Sequence, residues 1–221
     1  MPALPFSSQI INLFAALLLL LAFAMLTQRR ILSLINLFAL QGFVLMLSTA
    51  VVGYSTGQHH LYLSAAVTFV LKVLLLPWFL HWLIDKLNVR WDVEPMVNIP
   101  AQMLIGIALV IFAFNLAAPI SEMAGTVTRS ALGIALATIL LSFLMMITRR
   151  KAVSQVIGFL AMENGLFFAG TSATYGMPMI VELGILFDVL VAALIFGVFF
   201  FHIRETFESL DIHHLEKLKE R

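Results

Sequence analysis

The sequence predicts an all-α integral membrane protein of about seven transmembrane helices, and three observations carry that prediction. Of 221 residues, 62% are hydrophobic and 11% charged, against roughly half apolar and about a quarter charged in a soluble domain. Mean hydropathy is +1.03. The apolar residues also come in long blocks rather than at amphipathic spacing, the pattern expected where lipid is the solvent. Continuous helices suit these blocks better than the weak ten-residue alternation of a barrel.

Seven stretches follow in order, each close to the roughly 20 residues that span hydrocarbon. The first, Ser8 to Thr27, follows an uncharged start; no Lys or Arg precedes Arg29 and no small-residue cleavage pattern occurs, so a retained span is expected rather than a signal peptide. The Gln28-Arg29-Arg30 turn ends it, and Ile31 to Gly53 returns. Polar residues from Tyr54 to His60 separate that stretch from Leu61 to Ile84. The charged segment Asp85 to Ile99 precedes Pro100 to Ala118, where Asn115 and Pro119 predict a tilted or partly interfacial helix. Pro119 to Arg129 leads to Ser130 to Ile147, and the Arg149-Arg150-Lys151 turn leads to Ala152 to Thr174. After Gly176-Met177-Pro178 comes the last stretch, Met179 to Ile203.

The distribution of basic residues tests the count. With seven spans, Arg29, Arg30, Lys86, Arg90, Arg149, Arg150, Lys151, Arg204, Lys217, Lys219 and Arg221 fall on one side, Arg129 alone on the other, and Lys72 inside a span. A span missed or invented in the middle would scramble this bias. By the positive-inside rule the N-terminus lies outside and the C-terminal tail in the cytoplasm, as a multi-pass protein of a prokaryotic cytoplasmic (inner) membrane.

A parallel repeat is expected as well. The first three spans (residues 1–84) and the last three (129–203) each start outside, make a tight basic turn, return and cross again, with 85–128 supplying a cytoplasmic loop, the connecting helix and an outer loop. Residues 204–221 read as a short amphipathic tail, with Leu215 and Leu218 at helical spacing among charges. It suits either docking on a soluble subunit or resting on the membrane surface.

Several function classes are excluded. Without cysteine, the chain cannot hold an iron–sulfur cluster or nickel through thiolates, or form a disulfide, so any redox chemistry belongs to partners. A net charge of +1 gives no argument for nucleic acid. No metal-ligand cluster, phosphate-cradling loop or catalytic triad occurs, and neither catalytic residues nor a cofactor is expected.

The candidate functional residues are ionisable groups inside spans, where a charge costs about 2.5–3.5 kcal/mol on insertion scales and is a functional candidate by default. Lys72 sits near the centre of its span, shortly before Pro77. A proline there cannot donate to the Val73 carbonyl, so a kink is predicted beside the ammonium. Glu163 stands at the centre of the sixth span, followed by Asn164 and Gly165, a polar and a small residue that let another helix or a water chain approach. Asp188 lies within the last span. Glu182 precedes it by six residues, roughly 120° round the helix, and cannot share its face. The leading reading is proton relay by Lys72, Glu163 and Asp188; the alternatives are a structural ion pair or a subunit-facing lysine at Lys72 and a hydrogen-bond clamp at Glu163. Gln41, Asn164, Glu182, His81 and His202 form a second rank, with Asp85 four residues after His81 placed to orient it. Gly106, Gly133 and Gly197 are expected to serve helix packing.

Four ordered segments carry a family resemblance: Phe69 to Pro77, Leu160-Ala161-Met162-Glu163-Asn164-Gly165, Val181 to Asp188, and the tail from Leu210 to Lys219. Over nearly its whole length the chain resembles the hydrogenase-4 component E family, membrane subunits of group 4 nickel–iron hydrogenase complexes, including formate hydrogenlyase-type and related complex I-like assemblies. Its last three spans look like the small K-type subunit of complex I and its counterpart in cation/proton antiporters. The resemblance implies antiporter-like and other membrane subunits as partners, and puts Glu163 and Asp188 in the charged axis of the membrane arm. In the alignment Leu160 takes the family glutamate's place, with Glu163 three residues on, and the first triplet has Gln41 where a carboxylate would stand. The competing expectations are a subunit of a multisubunit cation/proton antiporter without a redox module, or a passive membrane scaffold. A rhodopsin-like receptor is rejected, because its Schiff-base lysine belongs in the last helix and Lys72 is in the third.

Overall fold

A computed structural model describes residues 6–87, 96–124 and 129–174, with Leu186, Leu190 and Gly197. Helix α1 (Phe6–Thr27) is followed by α2 (Ile31–Thr56) and α3 (His60–Thr68). A π-helical segment (Phe69–Leu75) then runs directly into α4 (Leu76–Leu87), and α5 (Ile99–Ala124), α6 (Arg129–Thr148) and α7 (Ala152–Thr174) complete the order. With α3, the π segment and α4 counted as one unit, six helices among the described residues are long and apolar enough to cross a membrane. The protein is a multi-pass membrane protein. The expected seventh span and the tail lie outside the described residues, apart from Leu186, which is buried, Leu190, which packs on the core, and Gly197.

Helices α1 and α2 form one hairpin and α6 and α7 another, packed with α1 against α6 and α2 against α7. The third span leans on α2, and α5 on α1 and α6. In lipid, helix association rests on close van der Waals packing rather than on the hydrophobic effect. The expected packing glycines act accordingly: a Cβ on Gly106 would meet Phe23 at 3.0 Å, on Gly133 the Phe114 ring at 2.8 Å, and on Gly197 the Phe79 ring at 2.9 Å. Gly57 closes α2 in the left-handed conformation, φ 68°, which glycine adopts without Cβ strain.

Two expectations need correction. The fourth span does not stop at Pro119; α5 continues through it to Ala124. A proline removes one backbone donor, a loss transmembrane helices tolerate where other groups take up the freed carbonyls. The break near Lys72 is also not a simple kink at the Val73 carbonyl. The chain widens into a π turn, the Leu76 amide donating to the Leu71 carbonyl five residues back. In that register the next amide, missing in Pro77, would serve the carbonyl of Lys72 itself. π turns of this kind concentrate at functional sites.

Arg149, expected only as part of a basic turn, is buried, 1% exposed. Its Nη2 donates to the carbonyls of Met25 (3.1 Å) and Leu26 (2.8 Å) in the last turn of α1. A cation suits the carbonyls of a helix C-terminus and the negative end of the helix dipole. Burial pushes the guanidinium down to about 10, still above physiological pH, so the charge is kept. Arg149→Met is expected to cost about 1.5–3 kcal/mol, the value of charged hydrogen bonds, read as faster thermal loss of folded protein in mild detergent. Exposed Arg29→Met in the neighbouring turn should change little.

Candidate functional site

Four side chains expected separately from the sequence meet in the structure. Lys72 comes from the π segment, Gln41 from α2, and Glu163 and Asn164 from α7. All are buried, between 0% and 4% exposed. Lys72 Nζ donates to Glu163 Oε2 in a buried ion pair and to Asn164 Oδ1 at 2.9 Å. Asn164 Nδ2 in turn donates to Gln41 Oε1 at 3.1 Å. The lysine sets the direction of this chain. An ammonium has only donors, so Asn164 must present its oxygen to it and its amide nitrogen to Gln41. The Phe167 ring, one turn beyond Glu163, lies 5.4 Å from Nζ and adds a cation–π contact.

Local sequence explains how the groups come so close. Gly42 lets α2 approach the third span at the level of Lys72; a Cβ there would lie 3.1 Å from Lys72 Cβ. Gly165 does the same between α7 and α6, where a Cβ would stand 2.9 Å from Ile139 Cγ1. The cluster is a polar layer between two apolar cores. On one side are Ile31, Leu34, Ile35 and Phe38 of α2 with Val153, Ile157, Leu160 and Ala161 of α7. On the other are Val44, Leu45, Phe167 and Phe168, with Leu18 of α1 and Ala135 of α6. Excluding water strengthens the ion pair, and it makes an unpaired member costly. Two polar atoms of the layer, Glu163 Oε1 and Gln41 Nε2, are buried without a protein partner.

The lysine is therefore not isolated in the first triplet; it is bonded across 91 residues of sequence to the sixth span. His81, of the second rank, stands apart, its Nδ1 donating to the Pro77 carbonyl at 2.8 Å. That carbonyl, and not Asp85, engages this nitrogen. Asp188, Glu182 and His202 lie outside the described residues.

Nearly the whole chain finds counterparts among known proteins. It is 32% identical over 209 residues to the uncharacterised protein Rv0085 of Mycobacterium tuberculosis, covering 94% of this chain and 95% of that protein. It is 24% identical over 212 residues to hydrogenase-4 component E of Escherichia coli K12, covering 96% of this chain and 98% of that one. The chain belongs with them, as a distant homologue of hydrogenase-4 component E. No family model and no solved structure matches it.

Sequence reasoning named all four members of the polar layer in this component E homologue, but missed several buried polar groups outside it. The hydroxyls of Ser48, Ser64 and Thr68 are buried without a protein partner. The signal was present as spacing: residues 60, 64, 68 and 72 are His, Ser, Thr and Lys, four apart on one helical stripe.

Proposed function

We propose that this component E homologue is a membrane subunit of a hydrogenase-type, complex I-like assembly. In this reading the Gln41–Lys72–Glu163–Asn164 layer moves protons and couples them to chemistry performed by partner subunits, with Asp188 as a further relay group. The observation that carries it is the buried Lys72–Glu163 pair with one carboxylate oxygen left over. A proton passing from Nζ to Oε2 breaks an N–H bond, forms an O–H bond and turns the ion pair into a neutral pair, with no net charge added to the membrane. Rotation of the carboxyl group carries that O–H to the position of Oε1, from which Glu163 can release the proton, and Lys72 can then take up another. Ionisable groups kept inside a membrane and paired with one another mark such relays. Homology to a hydrogenase subunit supports the assignment to an assembly.

The test uses the double variant Lys72→Met/Glu163→Gln, which removes both titrating groups and leaves no unpaired charge. In sealed vesicles carrying the assembled complex, it is expected to assemble at wild-type level and to build about a hundredfold less proton gradient per turnover, the lower end of the roughly 10²–10⁴-fold attributed to a positioned proton-transfer group. A gradient equal to wild type would sink the relay. Purification from native membranes should return antiporter-like membrane subunits together with a redox module; transport subunits alone would refute the hydrogenase-type assembly.

A further inference from the structure

Buried serine and threonine hydroxyls in helices usually donate back to the carbonyl one turn earlier, and Thr49, Thr138, Thr148 and Thr171 do so here. Three hydroxyls near the Lys72–Glu163 pair do not. Thr68 and Ser64 precede Lys72 at one-turn intervals along the buried face of α3, and Ser48 follows Gln41 by two turns along α2. Their oxygens are buried and have no protein partner. At the α2–α3 turn, Gln58 Oε1 and His60 Nε2 are in the same condition. At the inner end, so are Glu163 Oε1 and Gln41 Nε2. Each such atom costs about 1–3 kcal/mol if nothing bonds to it, so a line of them demands a common partner.

We infer that a file of water molecules along the α2–α3 seam connects the Lys72–Glu163 pair to the end of the bundle that holds the α2–α3 turn, and to that end only. The spacing fits water. Side chains one turn apart are separated by about 6 Å, which is two hydrogen bonds of about 2.8 Å through a single bridging oxygen. From Lys72 to His60 the file rises about 18 Å at 1.5 Å per residue, half the thickness of a membrane. The other direction is closed by apolar packing, since the third span there buries Leu76, Leu80, Leu83 and Ile84 in one core with Phe38. Among the described residues the third span adds nothing to the second core, which Val44, Leu45 and Phe167 fill from α2 and α7. On one side of the pair α3 thus buries Ser64, Ala65 and Thr68, with Leu61 seated against Gly53 near the turn, and on the other side the seam is plugged. As a route for protons, the file rests on the relay proposed above; as a hydrated seam, it stands on the geometry alone.

The chain contains no cysteine, so single-cysteine variants of the full-length protein in its native complex give a direct test. Thr68→Cys and Ser64→Cys are treated with a small, charged, membrane-impermeant methanethiosulfonate, added to one face of sealed vesicles and then to the other. The reagent attacks thiolate, which forms only where water reaches. Both positions are expected to react about tenfold faster than Val70→Cys, whose parent side chain is 50% exposed on the outer surface of the same span, and only from the face holding the α2–α3 turn. Reaction no faster than at Val70, or equal from both faces, overturns the inference. Thr68→Val keeps the side-chain shape and removes the hydroxyl, so it serves if the cysteine variants fold poorly. It should slow proton delivery about threefold in the assembled complex, within the worth of one hydrogen bond, and an unchanged rate counts against the file. Thiol accessibility and the gradient of the Lys72→Met/Glu163→Gln variant are separate readouts, so an inert seam and a failed relay cannot be confused.

Discussion

Lys72→Met alone is expected to destabilise the folded chain by about 3–5 kcal/mol, and Lys72→Met/Glu163→Gln to recover most of that loss. Breaking a buried pair by removing one partner leaves the other charge without compensation, whereas replacing both by neutral groups of similar volume is often neutral or stabilising. The surroundings of the pair favour this outcome. Methionine is unbranched and fits the path of the lysine stem beside Gly42 and Phe167. A glutamine at position 163 supplies the donor that Asn164 Oδ1 loses when the ammonium goes. Glu163→Gln alone should also be costly, because Lys72 then keeps its charge with only amide oxygens around it. The measurement is the temperature at which folded protein is lost in mild detergent, with the membrane abundance of each variant beside it. A double variant as unstable as the singles would show that the pair supplies more net stability than any neutral substitute, which is the scaffold reading.

How much of this arrangement could be read from the sequence depends on the range of the forces involved. The spans were legible because lipid solvation acts residue by residue: Ser8 to Thr27 became Phe6–Thr27, and Ala152 to Thr174 matched α7. The members of the polar layer were legible for the same reason, since Lys72, Glu163, Asn164 and Gln41 each interrupt an apolar run. Their partnership was not. It depends on which helices touch, and neither Lys72 nor Glu163 carries a local mark of the other across 91 residues. Pro119 misled because in water a helix pauses at proline, while in lipid the unwound backbone is the more expensive state. Arg149 misled in the opposite sense. The positive-inside rule explains why an arginine stands at that turn, but only packing shows that its guanidinium is turned inward to close the end of α1. The hydroxyls of Ser64 and Thr68 are silent in sequence because most such groups satisfy themselves within their own helix.

Gly165→Leu is expected to remove the chain from the membrane, and Gly165→Ala to cost about 1–3 kcal/mol, the range for overpacking. The difference from Gly42 lies in what the new atom meets. At Gly42 the one tight contact is Lys72 Cβ, at 3.1 Å, while the Lys72 backbone carbon and oxygen stand at an ordinary 3.5 Å, so a local shift of a few tenths of an ångström in the π segment relieves it. At Gly165 a Cβ meets not only Ile139 Cγ1 at 2.9 Å but the Ile139 backbone nitrogen at 3.2 Å and the Ala135 carbonyl oxygen at 3.4 Å. Those backbone atoms belong to α6 and move only with the whole helix. Alanine would therefore push α7 off α6 slightly, and leucine would separate the two helices along the length that positions Glu163 and Asn164. Because both residues directly precede Gly165, the shift should reach the polar layer before it reaches either helix end. Gly165→Ala should then lower proton gradient per turnover even in complexes that assemble, while Gly42→Ala leaves it near wild type. Equal gradients in the two variants, at equal assembly, would show that the layer tolerates displacement of α7 and that its function does not depend on the close α6–α7 approach.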